Sequence, residues 1–388
     1  MLTDVAAFVP LDPAAPVARL QSLCQSVEAS VLLCSPQHAG LLLSIVDNVI
    51  PVDGSMIDQL PESLPTDRLP ITSTNLAYLI FTSGTTGEPK GTMIEHGSYC
   101  SGAKAHGPAM RMSSKSRVLQ FASHVFDASL VEILTTLMVG GVVCIPSEEN
   151  RLNNLKSSMA KMRVNWAVLT PSFASFIHPA EVPELKTLVL AGEAMSTSHV
   201  ERWSHIDLVN GYGPSECSVA SVVNSQVTPE TSPSNIGRPT GVHTWVVDPE
   251  NHEKLLPIGC VGELLIEGPP VARGYLNDVA KTKTSFISAP AWASEVGSSR
   301  SKWKMYKTGD LVRVCQDGTI GFVGRKDTQV KVHGQRVSDH IFNLIPANPV
   351  RQVELGEVGF GYEPLSYSDL SREFLPYNVS SLLFQYLC

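Results

Sequence analysis

From residue 76 to residue 213 the chain alternates short apolar runs with segments of helix length. LAYLIF (76–81), VLQFAS (118–123), VVCIP (142–146), WAVLTP (166–171), TLVLAG (187–192) and DLVNGYG (207–213) have the length and β-branched or aromatic content of strands. ASLVEILTTLM (128–138) carries its apolar residues at helical spacing. A polar helix follows around 151–162, and TLVLAG leads into a further segment through Trp203. Strands alternating with helices predict an α/β fold with parallel sheets built from βαβ units. Ligands of such folds bind in loops that follow strand C-termini. Beyond residue 222 the rhythm changes. TWVVD, VGELLIEG and LVRVCQDGTIGFVGR read as strands, with a tight turn at Asp317–Gly318, and predict a smaller β subdomain. SAPAWASEVGSSRSK (288–302) reads as a surface loop. The expected units are a partial N-terminal subdomain (1–75), an α/β core (76–222), a β-rich subdomain (223–337) and a less regular tail (338–388).

Composition narrows the classes. Hydrophobic residues make up 43% of the 388 positions, enough for real cores, and charged residues only 17%. The 28 glycines and 27 prolines stay well below the level of a disordered chain, about 25–30%. A net charge of −8 supplies no basic footprint for a phosphate backbone, so nucleic acid is not an expected partner. Eight cysteines without a CxxC pair suit neither a zinc site nor a disulfide framework, and fit a reducing compartment. The N-terminus lacks a basic segment followed by an apolar run, and Glu132 and Gly140–Gly141 interrupt the most apolar stretch (130–146). A cytoplasmic protein with no membrane partner is expected.

TSGTTGEPKG (82–91) follows the first strand directly. Gly84, Gly87 and Gly91 let backbone N–H groups turn toward an anion. Thr82, Ser83, Thr85 and Thr86 add hydroxyl donors, and Lys90 adds charge. That set suits a polyphosphate. It is not a G-x-x-x-x-G-K-[ST] loop, because Glu88 and Pro89 separate Gly87 from Lys90. A plain Gly/Ser/Thr linker is the competing reading.

LAYLIFTSGTTGEPKG resembles the signature of adenylate-forming enzymes of the ANL superfamily, specifically the adenylation domains of nonribosomal peptide synthetases. Further motifs follow in that family's order: AFVPLDPAAPVARL (7–20), FDASLVEIL (126–134), NGYGPSE (210–216) with Ser215 in place of threonine, GELLIEGPPVARGYL (262–276), YKTGDL (306–311) and GRKDTQVKVHGQRV (324–337). The resemblance covers about residues 7–337. It implies an ANL-type large lobe that joins an amino-acid carboxylate to the α-phosphate of ATP and releases pyrophosphate. The aminoacyl group then passes to a phosphopantetheine thiol on a separate carrier protein or other synthetase module.

Carried over position by position, the resemblance implies that Thr82, Ser83, Gly84, Thr85, Thr86, Gly87 and Lys90 cradle the pyrophosphate. It places Asn210, Tyr212, Asp310, Phe322 and Arg325 at the adenine and ribose. Glu216 would hold Mg²⁺, because a hard cation takes oxygen ligands, and Asp327 would mark the hinge between lobes. Asp127 of FDAS would pair with the substrate ammonium, a charge that needs a partner in a partly dry pocket; a helix N-cap is the alternative for this residue. The implied pocket wall is Ala128, Val131, Val168, Val189, Ala191, Gly211, Val219 and Ala220. All are small or aliphatic, which favours an apolar substrate side chain. The same positions also suit an ordinary strand core. For Asp310, a turn residue in TGD is the alternative.

Both ends depart from the family pattern. The family's large lobe starts further upstream of the VPLDP motif. GQRV (334–337) is separated from QVELGEV (352–358) by SDHIFNLIPANPVR, as a retained intron or mis-joined gene model would produce. Residues 338–388 contain no lysine, whereas the family's small lobe carries a catalytic one. The expectation is therefore an adenylation domain truncated at both ends and impaired in activity. A catalytically inactive remnant that binds nucleotide or partners, and a relative of acyl- or aryl-CoA synthetases, are the rival readings.

Overall fold

The computed structural model describes residues 6–60, 71–82, 89–296, 303–327, 329–332 and 335–338. The tail expected at 338–388 lies, after Ser338, outside the described residues, as do Ser83, Gly84, Thr85, Thr86 and Gly87. The chain opens with a helix, Val17–Ser26, and a parallel pair, β1 (Leu32–Cys34) and β2 (Val49–Pro51). An antiparallel hairpin follows, β3 (Leu76–Thr82) and β4 (Lys90–Glu95), and the helix His96–Ala109 leaves its end.

Five parallel strands form the α/β core: β5 (Arg117–Leu119), β6 (Val142–Cys144), β7 (Trp166–Leu169), β8 (Thr187–Ala191) and β9 (Asp207–Tyr212), in the order β6-β5-β7-β8-β9. The sheet continues antiparallel through β10 (Val222–Asn224) and β11 (Asn235–Pro239). It then takes in β12 (His243–Val247) and β13 (Val261–Glu267). β14 (Gly274–Tyr275) leaves this sheet to pair with β4. β15 (Phe286–Ile287), β16 (Met305–Val314) and β17 (Ile320–Arg325) complete it, in the order β12-β13-β16-β17-β11 with β15 on β16. A separate hairpin, β18 (Gln329–Val332) and β19 (Gln335–Ser338), ends the described chain.

The two-residue period of β7, β8 and β9 sorts their side chains onto two faces. Ala167, Leu169, Leu188, Leu190 and Leu208 face the helices Leu155–Lys161 and Thr197–Trp203, which contribute Met159, Val200 and Trp203. Val168, Val189, Ala191 and Val209 face the other way, toward Met110, Met112 and Val131. Cross-strand register aligns Val168 with Val189 and Val189 with Val209, so these methyls form one row. That face holds three of the positions expected to line the pocket wall, Val168, Val189 and Ala191, and Val209 packs with them.

The helix expected over 128–138 forms, but its middle, Val131–Thr135, widens to π geometry. The side chains that hold this turn come from the helix His96–Ala109: the Tyr99 hydroxyl donates to the Leu130 carbonyl at 2.7 Å and meets Thr135 Oγ1 at 2.9 Å, and His106 Nε2 meets the same oxygen at 3.0 Å. Burial pushes the His106 imidazole down to about 4, so it is neutral at pH 7.

The strand expected over 118–123 stops at Leu119. The amides of Phe121 and Ala122 turn aside to donate to the fully buried Glu132 at 3.1 Å. Burial pushes the Glu132 carboxyl up to about 8, against those amide bonds, the Gln120 amide and the charge of Arg151. The folded protein therefore holds this proton more tightly than the unfolded chain. The stability so gained is complete below about 4.5 and is lost as pH rises toward 8, by up to about 1.4 kcal/mol per pH unit. We expect Glu132→Gln to flatten this part of the stability profile in denaturant titrations; an unchanged slope would contradict the assignment.

The loop expected at 288–302 is also corrected in part. Ala291–Ser294 forms a 3-10 turn, and Trp292 is buried 5.2 Å from the Trp245 ring, with its Nε1 donating to the His252 carbonyl at 3.0 Å. Small and polar neighbours hide this anchor from a composition-based reading.

Candidate active site

Antiparallel pairing of β16 with β17 sets Asp310 directly opposite Arg325. The guanidinium donates to Asp310 Oδ1 at 2.8 Å and to the Thr308 carbonyl at 3.1 Å, and forks onto Asp327 at 2.8 and 2.7 Å. Tyr212, at the end of β9, donates its hydroxyl to Asp310 Oδ2 at 2.5 Å. Asp310 is only 7% exposed. Burial pushes the Tyr212 phenol far up, and the Asp310 charge adds to this, so the phenol stays a donor. Burial works against the charge on Arg325, yet its bonds to Asp327 and the field of Asp310 raise its pKa on balance. The Phe322 ring lies 6.3 Å from that of Tyr212, at 44°. Four expected nucleotide residues, from β9, β16 and β17, thus meet at one point, with Asp327 attached through Arg325.

Asn210 belongs to the same strand end, but its side-chain amide donates to the Asn235 carbonyl at 3.1 Å, tying β9 to β11. After Tyr212 the chain reverses tightly. A Cβ on Gly213 would stand 2.1 Å from the Val219 carbonyl, so only glycine permits the approach. Ser218 and Val219 take positive φ, 56° and 80°, strained for a β-branched residue in particular. This turn delivers Glu216, which is 2% exposed. Its Oε1 accepts from the Tyr275 hydroxyl at 2.7 Å, while its Oε2 has no hydrogen-bond partner among the described residues.

Lys90 stands opposite Thr82 in the β3–β4 register, so the two residues flank the segment 83–88. The Lys90 ammonium lies 5.8 Å from the centroid of the Tyr275 ring, within cation–π range. Tyr275 therefore stands between Lys90 and Glu216, touching both.

The expected pocket wall is largely one cluster. Val131, Val168, Val189, Ala191, Val219 and Ala220 pack together, with Met110, Val118, Trp166 and Val209. Gly211 completes it: a Cβ there would touch Val189 at 3.2 Å and Ala191 at 3.6 Å. Ala128 is half-buried at the start of the following helix and stands outside that cluster. Asp127 is half-buried too, and its side chain makes no capping bond, which removes the support for an N-cap role. Its charge adds to the burial that raises the Tyr78 and Tyr99 phenols. Met110 and Trp166 escaped the sequence reading. Trp166 had a signal, since it leads the alternation 166, 168 in β7, and its Nε1 donates to the Met110 carbonyl at 2.8 Å. Met110 had none. Tyr275, inside a recognised motif, had no assigned role.

The architecture and this ring of residues define an adenylate-forming enzyme fold. Residues 5–276 match the family model for AMP-binding enzymes. Nonribosomal peptide synthetase 1 of Aspergillus fumigatus is 53% identical over 335 residues, which is 85% of this chain and 5% of that protein. N-benzoylphenylalaninol synthetase apmA of Penicillium brevicompactum is 45% identical over 383 residues, 98% of this chain and 15% of that one. The second match therefore reaches well into residues 338–388. PA1221, a solved nonribosomal peptide synthetase protein containing adenylation and PCP domains, superposes with a TM-score of 0.73 at 25% identity, over 89% of this chain and 70% of that one. The chain belongs to the AMP-binding enzyme family, as an adenylation domain of the nonribosomal peptide synthetase type. It spans a small part of the length of these curated relatives. Among the described residues, no helix is long and apolar enough to cross a membrane.

Proposed function

We propose that this domain activates an α-amino acid with an apolar side chain as its aminoacyl adenylate, using ATP with Mg²⁺. A carboxylate oxygen of the amino acid bonds to the α-phosphorus, the bond from that phosphorus to the β-bridging oxygen breaks, and pyrophosphate leaves. The observation that carries the reading is the meeting of Tyr212, Asp310 and Arg325, together with a buried, half-satisfied Glu216 on the turn that follows Tyr212. Asp310 supplies acceptor oxygens to the ribose hydroxyls, in a position fixed by Arg325 and Tyr212. Tyr212 and Phe322 flank the adenine. Lys90, with the loop before it, holds the β- and γ-phosphates.

Glu216 fits a hard divalent cation, because a buried carboxylate oxygen without a donor suits metal ligation. Bound there, Mg²⁺ would neutralise phosphate charge. Asp127 pairs with the substrate ammonium, and the Val/Ala row with Gly211 receives an aliphatic or aromatic side chain. Transfer to a carrier-protein phosphopantetheine, as part of secondary-metabolite synthesis, is the proposed fate of the product.

Calorimetric titration tests the nucleotide part. Lys90→Ala with Glu216→Ala removes one cation and one ligand oxygen, and is expected to weaken Mg²⁺–ATP binding at least 10-fold, about 1.4 kcal/mol. Equal affinity in wild type and double variant would refute this placement of the phosphates.

A further inference from the structure

Tyr275 lies in a stretch to which neither the motif reading nor the reaction assigns a task. Its surroundings are those of a device rather than of filler. Residues 272–276 leave the large sheet and run along β4, the strand that starts with Lys90. The Arg273 amide donates to the Met93 carbonyl at 3.0 Å, and the Leu276 amide to the Gly91 carbonyl at 2.8 Å. One residue earlier, the Ala272 amide donates to the Glu216 carbonyl at 2.8 Å. The segment thus bonds the backbone of both elements that deliver charge to the phosphates.

The side chain repeats the connection. Its hydroxyl donates to Glu216 Oε1, and its ring carries the Lys90 ammonium 5.8 Å from the centroid. Tyr275 itself is 5% exposed, with its ring edge-on to Phe286 at 5.3 Å and its amide bonded to Thr282 Oγ1 at 2.9 Å. Gly274, at φ +145°, lets the strand pass so close to Thr282 that a Cβ would stand 2.5 Å from the threonine Cγ2. A ring this constrained cannot follow Glu216; the carboxylate must follow the ring.

We propose that Tyr275 is the positioning residue of the cation site: its hydroxyl occupies one oxygen of Glu216, aims the other at the phosphates, and its ring sets Lys90 beside them. This rests on Glu216 as the Mg²⁺ ligand. Donors that orient a metal-ligating carboxylate typically change metal affinity by roughly 10- to 100-fold. Without the hydroxyl, Glu216 is free to rotate, or to draw Lys90 to itself, and either movement takes its oxygen from the cation.

Tyr275→Phe deletes the hydroxyl and keeps the ring, so the contacts to Phe286 and Lys90 remain and the fold is retained. ATP is titrated into wild type, Tyr275→Phe, Glu216→Gln and the double variant, each in excess Mg²⁺ and again in chelator, alongside thermal melts. We expect Tyr275→Phe to cut the Mg²⁺-dependent gain in ATP affinity roughly 10-fold or more, with Mg²⁺-free affinity unchanged and a cooperative melt preserved. In the Glu216→Gln background the same change should add nothing. A Tyr275→Phe loss of equal size with and without Mg²⁺ would reduce the residue to packing and overturn the proposal. So would a full Mg²⁺ effect in Tyr275→Phe beside its loss in Glu216→Gln. If Glu216→Gln itself keeps the full Mg²⁺ effect, the assignment of Glu216 falls, and this inference with it.

Discussion

Asp310→Ala is expected to weaken ATP binding about 10- to 100-fold and to destabilise the domain at the same time. Each of the two consequences has its own cause. The ribose loses an ionised acceptor, and hydrogen bonds to charged groups contribute about 1.5–3 kcal/mol. Arg325, whose side chain is 17% exposed, loses one of its two carboxylate partners, and Tyr212 loses its acceptor. Removing one partner of a buried pair costs about 3–5 kcal/mol, and the retained fork onto Asp327 puts the present case at the lower end. Asp310→Asn separates the two effects, since it keeps the shape and one acceptor oxygen while removing the charge. Calorimetry and denaturant titration on the same samples read both. A loss of stability with unchanged ATP affinity would make Asp310 a structural residue only.

The second large effect concerns selectivity. The wild-type domain is expected to prefer an apolar α-amino acid over its des-amino analogue by at least about 1.4 kcal/mol, or 10-fold, because an acid without the ammonium brings no positive charge to the half-buried Asp127. In Asp127→Asn this preference should collapse, with the des-amino acid binding as well as the amino acid. Thermal-shift titrations with phenylalanine-like and phenylpropionate-like acids provide the measurement. Equal stabilisation of wild type by both acids would refute the role of Asp127 and favour the acyl-CoA-synthetase reading.

What was legible in the sequence follows from how local its cause is. The parallel direction of β5 to β9 and the β-rich second half are written in short-range periodicity; the strand order β6-β5-β7-β8-β9 is not. Neither are contacts among residues far apart in sequence. The β16–β17 hairpin was legible from its Asp317–Gly318 turn, but the register shift at Leu311–Val312 that sets Asp310 opposite Arg325 was not, nor was the turn at Ser218–Val219 that buries Glu216; only the family motifs pointed to these residues. The apparent strand at 118–123 ends early because Glu132, on a later helix, takes the amides that a strand neighbour would have used. Trp292 is buried by Trp245, some 47 positions earlier in the chain, and its own neighbours give no sign of it. Tyr275 is the most instructive case. Its motif was recognised at once, yet its bond to Glu216 spans 59 positions, and only the folded chain brings the two together.

The central claim is that this chain joins an apolar amino acid to AMP. Because residues 338–388 carry no lysine, the most direct measurement fuses a lysine-bearing family small lobe after Val337, incubates the purified fusion with Mg²⁺–ATP and each member of a panel of amino, fatty and aryl acids, and detects enzyme-bound acyl-AMP by mass spectrometry. The account predicts an aminoacyl adenylate with one or a few apolar α-amino acids, absent with their des-amino analogues and abolished in Glu216→Ala. Adenylates of fatty or aryl acids alone, or ATP binding without any adenylate, would contradict it.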